Sequence, residues 1–166
     1  MEYITPRNHI YADGNILLYD LQLANVPESY EIDGEVLPRQ PEFHITLVDG
    51  QELSQLIAPD DSASVQARIR ELFIAYESTH HLDQYSFTNR HFVIDKPSRK
   101  SLVVECAVPH LDGFFDVLEQ EFGVSLPWQW PHVTLFAREN EGIGVWSREV
   151  LDECGREVMV SFSLVD

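Results

Sequence analysis

Two short segments, 88 residues apart, read almost alike: Phe43-His44-Ile45-Thr46-Leu47 and Pro131-His132-Val133-Thr134-Leu135. Both run histidine, β-branched aliphatic, threonine, leucine, and both sit in strand-forming surroundings. Side chains along a strand alternate between its two faces. His44 and Thr46 are therefore expected on one face, with Phe43, Ile45 and Leu47 turned into a core. His132 and Thr134 share a face in the same way, above Val133 and Leu135. Each strand then presents one imidazole and one hydroxyl from an apolar base, which holds a site rigidly. A single copy reads as an ordinary half-buried strand histidine. Two copies with threonine in both read as halves of one site. Their separation is too long for a hairpin and fits two lobes of similar build, each giving a strand to a shared cleft.

The rest of the chain can be read around those strands. Asn15 to Leu23 predicts an early strand after the Asp13-Gly14 turn. Residues 25–42 hold Pro27, Gly34, Pro38 and Pro41 and read as loop-rich. Val65, Ile69, Leu72, Phe73 and Tyr76 fall on one helical face, with Asp61 or Ser62 placed to cap it. Phe87 to Ile94 and Ser101 to Val108 predict strands about a turn at Pro97-Ser98. Leu111, Phe114, Phe115, Leu118 and Phe122 mark a second amphipathic helix, stopped by Gly123. Trp130 to Ala137 predicts a strand, 146–153 a short helix, and Val158 to Val165 a last strand. The expectation is a single α+β domain over residues 1–166, built as two pseudo-symmetric lobes of antiparallel sheet with flanking helices around a central cleft.

Composition narrows the function. The 166 residues are 44% hydrophobic and 23% charged, as in a folded protein rather than a disordered one. Lys and Arg number 11 against 28 Asp and Glu, a formal charge of −17. Such a surface repels a long nucleic-acid backbone, whose binding rests on Lys and Arg displacing counterions. A small phosphorylated nucleotide or an RNA end entering a shielded cleft is less affected. No apolar run is long enough to span a membrane, and the segment from Met1 to Arg7 lacks the pattern of a secretory signal. The two cysteines, Cys106 and Cys154, read as reduced thiols, so a cytoplasmic protein is expected.

Other residues invite competing roles. His80-His81 follow Glu77 at a helix end, where imidazoles sit favourably on the negative terminus; a metal cluster is the weaker reading. Cys106 and His110 are ligand-like but have no visible partner set for zinc. His91 beside Arg90 reads as a surface pair. Trp130 shares strand parity with His132 and Thr134 and is a candidate to stack on a base. Trp128 precedes it, and Arg138 lies further along the same face.

The paired signature resembles the 2H phosphoesterase superfamily, which includes 2′-5′ RNA ligase-like proteins and 2′,3′-cyclic nucleotide phosphodiesterases. The likeness is best from residue 101 to 138, where Ser101-Leu102-Val103-Val104-Glu105, a helix, and Trp130-Pro131-His132-Val133-Thr134-Leu135 run in the family's order. Earlier it rests on Phe43 to Leu47. Arg138 stands one place later than the basic residue many relatives carry.

Two imidazoles on opposite sides of a phosphorus suit in-line hydrolysis, one starting neutral as base and the other protonated as acid. Thr46 and Thr134 can donate hydrogen bonds to the non-bridging oxygens. No metal or cofactor is expected, since no carboxylate stands at ligand spacing beside the four residues. The resemblance implies that His132 activates water, that His44 protonates the leaving oxygen, and that a 2′-phosphate is left. The sequence leaves two rivals: an RNA 2′-5′ ligase or diesterase, and a non-catalytic nucleotide-binding module using the same pocket.

Overall fold

Two Asp-Gly pairs organise the early chain in a computed structural model that describes residues 9–138 and 145–164. Asp13 and Gly14 have φ of 51° and 84°, and Asp33 and Gly34 have 54° and 79°. Two consecutive left-handed residues form the turn whose twist matches a two-residue hairpin. The first turn joins β1 (His9–Ala12) to β2 (Asn15–Leu18), and the second joins β3 (Ser29–Ile32) to β4 (Glu35–Pro38). The early strand thus ends at Leu18 rather than Leu23, where Asp20 turns left-handed at φ 56°. Residues 25–42, expected as loop, contain a full hairpin.

β5 (Ile45–Val48) pairs antiparallel with β2, completing a three-stranded sheet in the order β1-β2-β5. Asp49-Gly50 reads in the sequence as a turn that ends this strand; in the fold it also starts a helix, α1 (Gly50–Ile57). Asp49 Oδ1 accepts from the Glu52 amide at 3.1 Å, satisfying a donor that the first helical turn leaves open. Only glycine fits at residue 50, because a Cβ there would lie 1.9 Å from the carbonyl oxygen of Gly14.

α2 (Ser62–His80) buries Val65, Ile69 and Phe73 and half-buries Leu72 and Tyr76, the face its spacing predicts. Its start differs from expectation. Asp61 is the N-cap residue but its side chain makes no capping bond, and Ser62 Oγ donates back to Pro59 O at 3.1 Å. The 3₁₀ turn Pro59–Asp61 leads into the helix, so Ser62 is already coiled and serves that turn.

β6 (Ser86–Lys96) and β7 (Arg99–Ala107) form a long hairpin. α3 (Leu111–Phe122) buries Leu111, Phe114, Phe115 and Leu118, and ends at Gly123. Gly123 takes φ 67° and returns its N–H to Glu119 O at 2.9 Å, the left-handed cap that favours glycine. β8 (His132–Ala137) adds to β7, and after α4 (Arg148–Cys154), β9 (Gly155–Val158) adds to β6. The second sheet runs β8-β7-β6-β9, all antiparallel. The last strand therefore ends at Val158 instead of beginning there; Val165 lies outside the described residues.

The result is an α+β fold with antiparallel sheets and, among the described residues, four α-helices. The four-stranded sheet is covered on both faces. Leu102, Val104, Val133 and Leu135 join the main core, with Phe73 and Phe114 from the helices. Phe92, Ile94, Val103 and Trp130 form a smaller cluster with Val145 and Leu151. Each such side chain, fully buried, stabilises by about 1.5–3 kcal/mol. Among the described residues no helix is long and apolar enough to cross a membrane.

Candidate functional site

Strand parity places the motif side chains as their spacing dictates. Ile45 and Leu47 are buried, Phe43 is half-buried, and Thr46 is half-buried with His44 exposed. On β8, Val133 and Leu135 are buried while His132 and Thr134 are half-buried. His132 and Thr134 stand on β8 and Thr46 on β5, while His44 comes one residue before β5 begins, so the strand expected from Phe43 starts at Ile45; apolar neighbours of all four residues lie in or against the main core.

Three ties bring the two strands side by side. Arg39 bridges antiparallel to Phe136, and the Gln40 amide donates to Leu135 O at 2.9 Å. Past the far end of β5, the Asp49 amide donates to Gln129 Oε1 at 3.0 Å. Residues 39–49 thus run antiparallel to 136–129, bringing His44 and His132 close enough for the charge of one to disfavour charge on the other.

The two rings have different surroundings. His132 Nδ1 lies 2.9 Å from Trp130 O. A carbonyl only accepts, so Nδ1 carries the hydrogen and the neutral ring keeps its lone pair on Nε2. Burial pushes the His132 pKa down to about 4, with the Trp130 carbonyl pulling upward and the charge of His44 adding to the lowering. Although His44 is exposed as a whole residue, desolvation of its ring also lowers its pKa, against an upward pull from Glu42. Among the described residues no hydrogen bond engages the His44 ring or either threonine hydroxyl. The arrangement therefore holds a neutral imidazole with a free Nε2, a second imidazole that binds a proton more readily, and two uncommitted hydroxyls.

Trp130 does not stand as a base platform. It is 4% exposed, its indole stacks on His132 at 4.6 Å and 24°, and Phe92 meets it edge-on at 5.4 Å. Its ring is occupied within the protein, so it supports His132 instead of meeting solvent. Trp128 is more open and donates Nε1–H to Glu119 Oε1 at 2.9 Å. Arg138 forms a two-pronged pair with Glu35 at 2.7 and 2.9 Å, which turns it to the β3–β4 hairpin.

His91 is buried, where a surface pair with Arg90 was expected. It faces Phe162 in the core while Arg90 points to Glu157 and Glu105, as alternate strand positions must. Cys106 is buried, and burial pushes its thiol pKa well up, which keeps it protonated and inert. His80 ends α2 and stacks on Tyr76 at 4.0 Å. His81 is the left-handed cap, and its ligand atom, with those of Glu77 and Asp83, falls in a group lying within 4.8 Å of one another. That group is partly exposed and belongs to the end of α2, not to the motif strands.

A further charged residue stands beside His132. Glu105 lies directly across from His132 in the β7–β8 register and is 8% exposed. A carboxylate inside the apolar run Leu102-Val103-Val104-Glu105-Cys106 was the available signal, because charges are buried only when paired.

Set against protein-family models, curated proteins and solved structures, the chain matches none of them.

Proposed function

We propose that this chain is a metal-independent phosphoesterase that hydrolyses a 2′,3′-cyclic phosphate or a similar small phosphodiester by two-histidine acid–base catalysis. In this reading the three-stranded sheet bearing β5 and the four-stranded sheet bearing β8 are the centres of two similar lobes, and substrate phosphorus sits between His44 and His132.

The observation that carries the reading is the contrast between the two rings. The Trp130 carbonyl fixes Nδ1–H on His132, and burial keeps that ring neutral, so its Nε2 is ready to accept a proton. His132 takes a proton from water as its oxygen bonds to phosphorus. The phosphorus–O3′ bond breaks on the opposite side, and His44 gives its proton to O3′, leaving a 2′-phosphate. Thr46 and Thr134 donate to the non-bridging oxygens, where negative charge builds up in the transition state. An anionic phosphate between the rings favours the proton on His44 once substrate binds.

The formal charge of −17 favours a small substrate over long RNA. The test is incubation in EDTA with 2′,3′-cyclic mononucleotides, ADP-ribose cyclic phosphate and a 2′-5′ dinucleotide, followed by chromatography of the products. Ring opening to a 2′-phosphate is the expected result. Saturable binding with no bond broken in any of them would turn the site into a nucleotide-binding pocket.

A further inference from the structure

Glu105 is a carboxylate in a place where a carboxylate is costly. Its side chain is 11% exposed, yet it engages four groups. Oε1 accepts from Trp130 Nε1–H at 3.0 Å and pairs with Arg148 at 3.0 Å. Oε2 accepts from Thr88 Oγ1 at 3.0 Å and faces Arg90 at 3.5 Å. A buried indole N–H needs an acceptor, but any neutral acceptor would serve. A charged one must be offset by cations, and a buried ion pair is weak as a source of stability.

What the network does hold is orientation. Trp130 touches His132 twice: its carbonyl fixes Nδ1–H, and its indole lies against the imidazole face. Glu105 fixes the indole by its only polar atom, while Phe92 packs perpendicular to the indole. We propose that Glu105 is a positioning residue for His132, acting through the indole of Trp130. It differs from the aspartate of a hydrolytic triad, since its carboxylate forms no hydrogen bond with the imidazole. Arg90 and Arg148 balance its charge, and the groups that set the His132 pKa are its burial, the Trp130 carbonyl and His44.

The significance of Glu105 rests on His132 being the base, but its effect on the ring can be measured without turnover. Imidazole nitrogen and proton NMR on His132 should show one tautomer, protonated at Nδ1, and a titration well below that of a free histidine. In Glu105→Ala the expected result is mixed tautomers at His132, as the indole loosens and water reaches the ring. Glu105→Gln keeps an acceptor for the indole and should restore the single tautomer. Trp130→Phe removes the donor and should make a further Glu105→Ala change silent at His132. A Glu105→Ala protein that melts earlier but keeps the single Nδ1–H tautomer would overturn the proposal, leaving Glu105 a structural ion-pair residue. An independent absence of turnover in the wild-type protein would count against the phosphoesterase reading and leave this result standing.

Discussion

His132 donates its Nδ1–H to the carbonyl oxygen of Trp130, 2.9 Å away and two residues earlier in the chain. That contact commits one ring nitrogen and frees the other. In the proposed reaction this contrast suits His132 to accept a proton and His44 to supply one.

The pH profile of kcat/KM should be a bell on the acid side of neutrality. Activity is lost as His132 gains a proton, near pH 4 in the free protein. It is lost again as pH rises through the His44 pKa, which desolvation holds below the ordinary 6.5. The expected maximum lies between these limits, and initial rates at low substrate measure it. A plateau extending above pH 8 would reverse or remove the assigned roles.

The same ring should make the protein acid-sensitive. The folded pKa of His132 is depressed to about 4 from 6.5. Between those values the unfolded chain binds the proton more readily, so stability rises with pH and falls as pH drops. Its contribution is fully present above pH 6.5, and its loss approaches about 3 kcal/mol towards pH 4, reduced by the open edge of the ring. Urea unfolding at pH 7 and pH 4.5 should show a smaller pH-dependent loss in His132→Gln than in the wild-type protein.

The threonines should affect rate more than folding. Thr46→Val and Thr134→Val keep β-branched shapes on their strands, and each removes a donor worth roughly 10²–10³-fold in kcat. Circular dichroism should be unchanged. If both variants retain wild-type kcat, the hydroxyls do not face the reacting phosphate.

The β3–β4 hairpin is fastened to the four-stranded sheet by ion pairs of unequal consequence. Asp33 binds Lys100 at 3.1 Å and also meets Arg156, and the Lys100 side chain is only 7% exposed. Glu35 pairs with Arg138, which is well exposed. Among the described residues, Asp33→Asn leaves a largely buried ammonium with Asp95 at 3.8 Å and the more distant charge of Glu35, so its urea midpoint should fall clearly. Glu35→Gln breaks a solvated pair and should leave the midpoint nearly unchanged.

Much of this was legible residue by residue. Alternation through Ile45-Thr46-Leu47 and His132-Val133-Thr134-Leu135 carries the facing of both motif strands, because a strand's period of two leaves no choice once one face is apolar. The spacing from Val65 to Tyr76 and from Leu111 to Phe122 gave two helices, and Gly123 gave the end of the second. The β3–β4 hairpin was hidden behind its prolines, although Asp33-Gly34 between Tyr30-Glu31-Ile32 and Val36-Leu37 carried the turn signal. α1 was missed because Asp49-Gly50 looks the same as a strand-ending turn and as a helix start. Parity leaves Trp130 open between a base platform and a core residue, because it tells which face a side chain takes and not what covers that face; α4 and its neighbours cover it. Glu105 and its arginines come from distant parts of the chain, so their convergence follows from strand register, which local pattern does not encode.

The most direct measurement is kcat/KM on a 2′,3′-cyclic mononucleotide in EDTA for the wild-type protein, His44→Ala and His132→Ala. The expected result is metal-independent ring opening in the wild-type protein and a fall of roughly 10²–10⁴-fold in each variant, both still folded. Activity abolished by EDTA, or retained at the wild-type level by either variant, would contradict two-histidine catalysis.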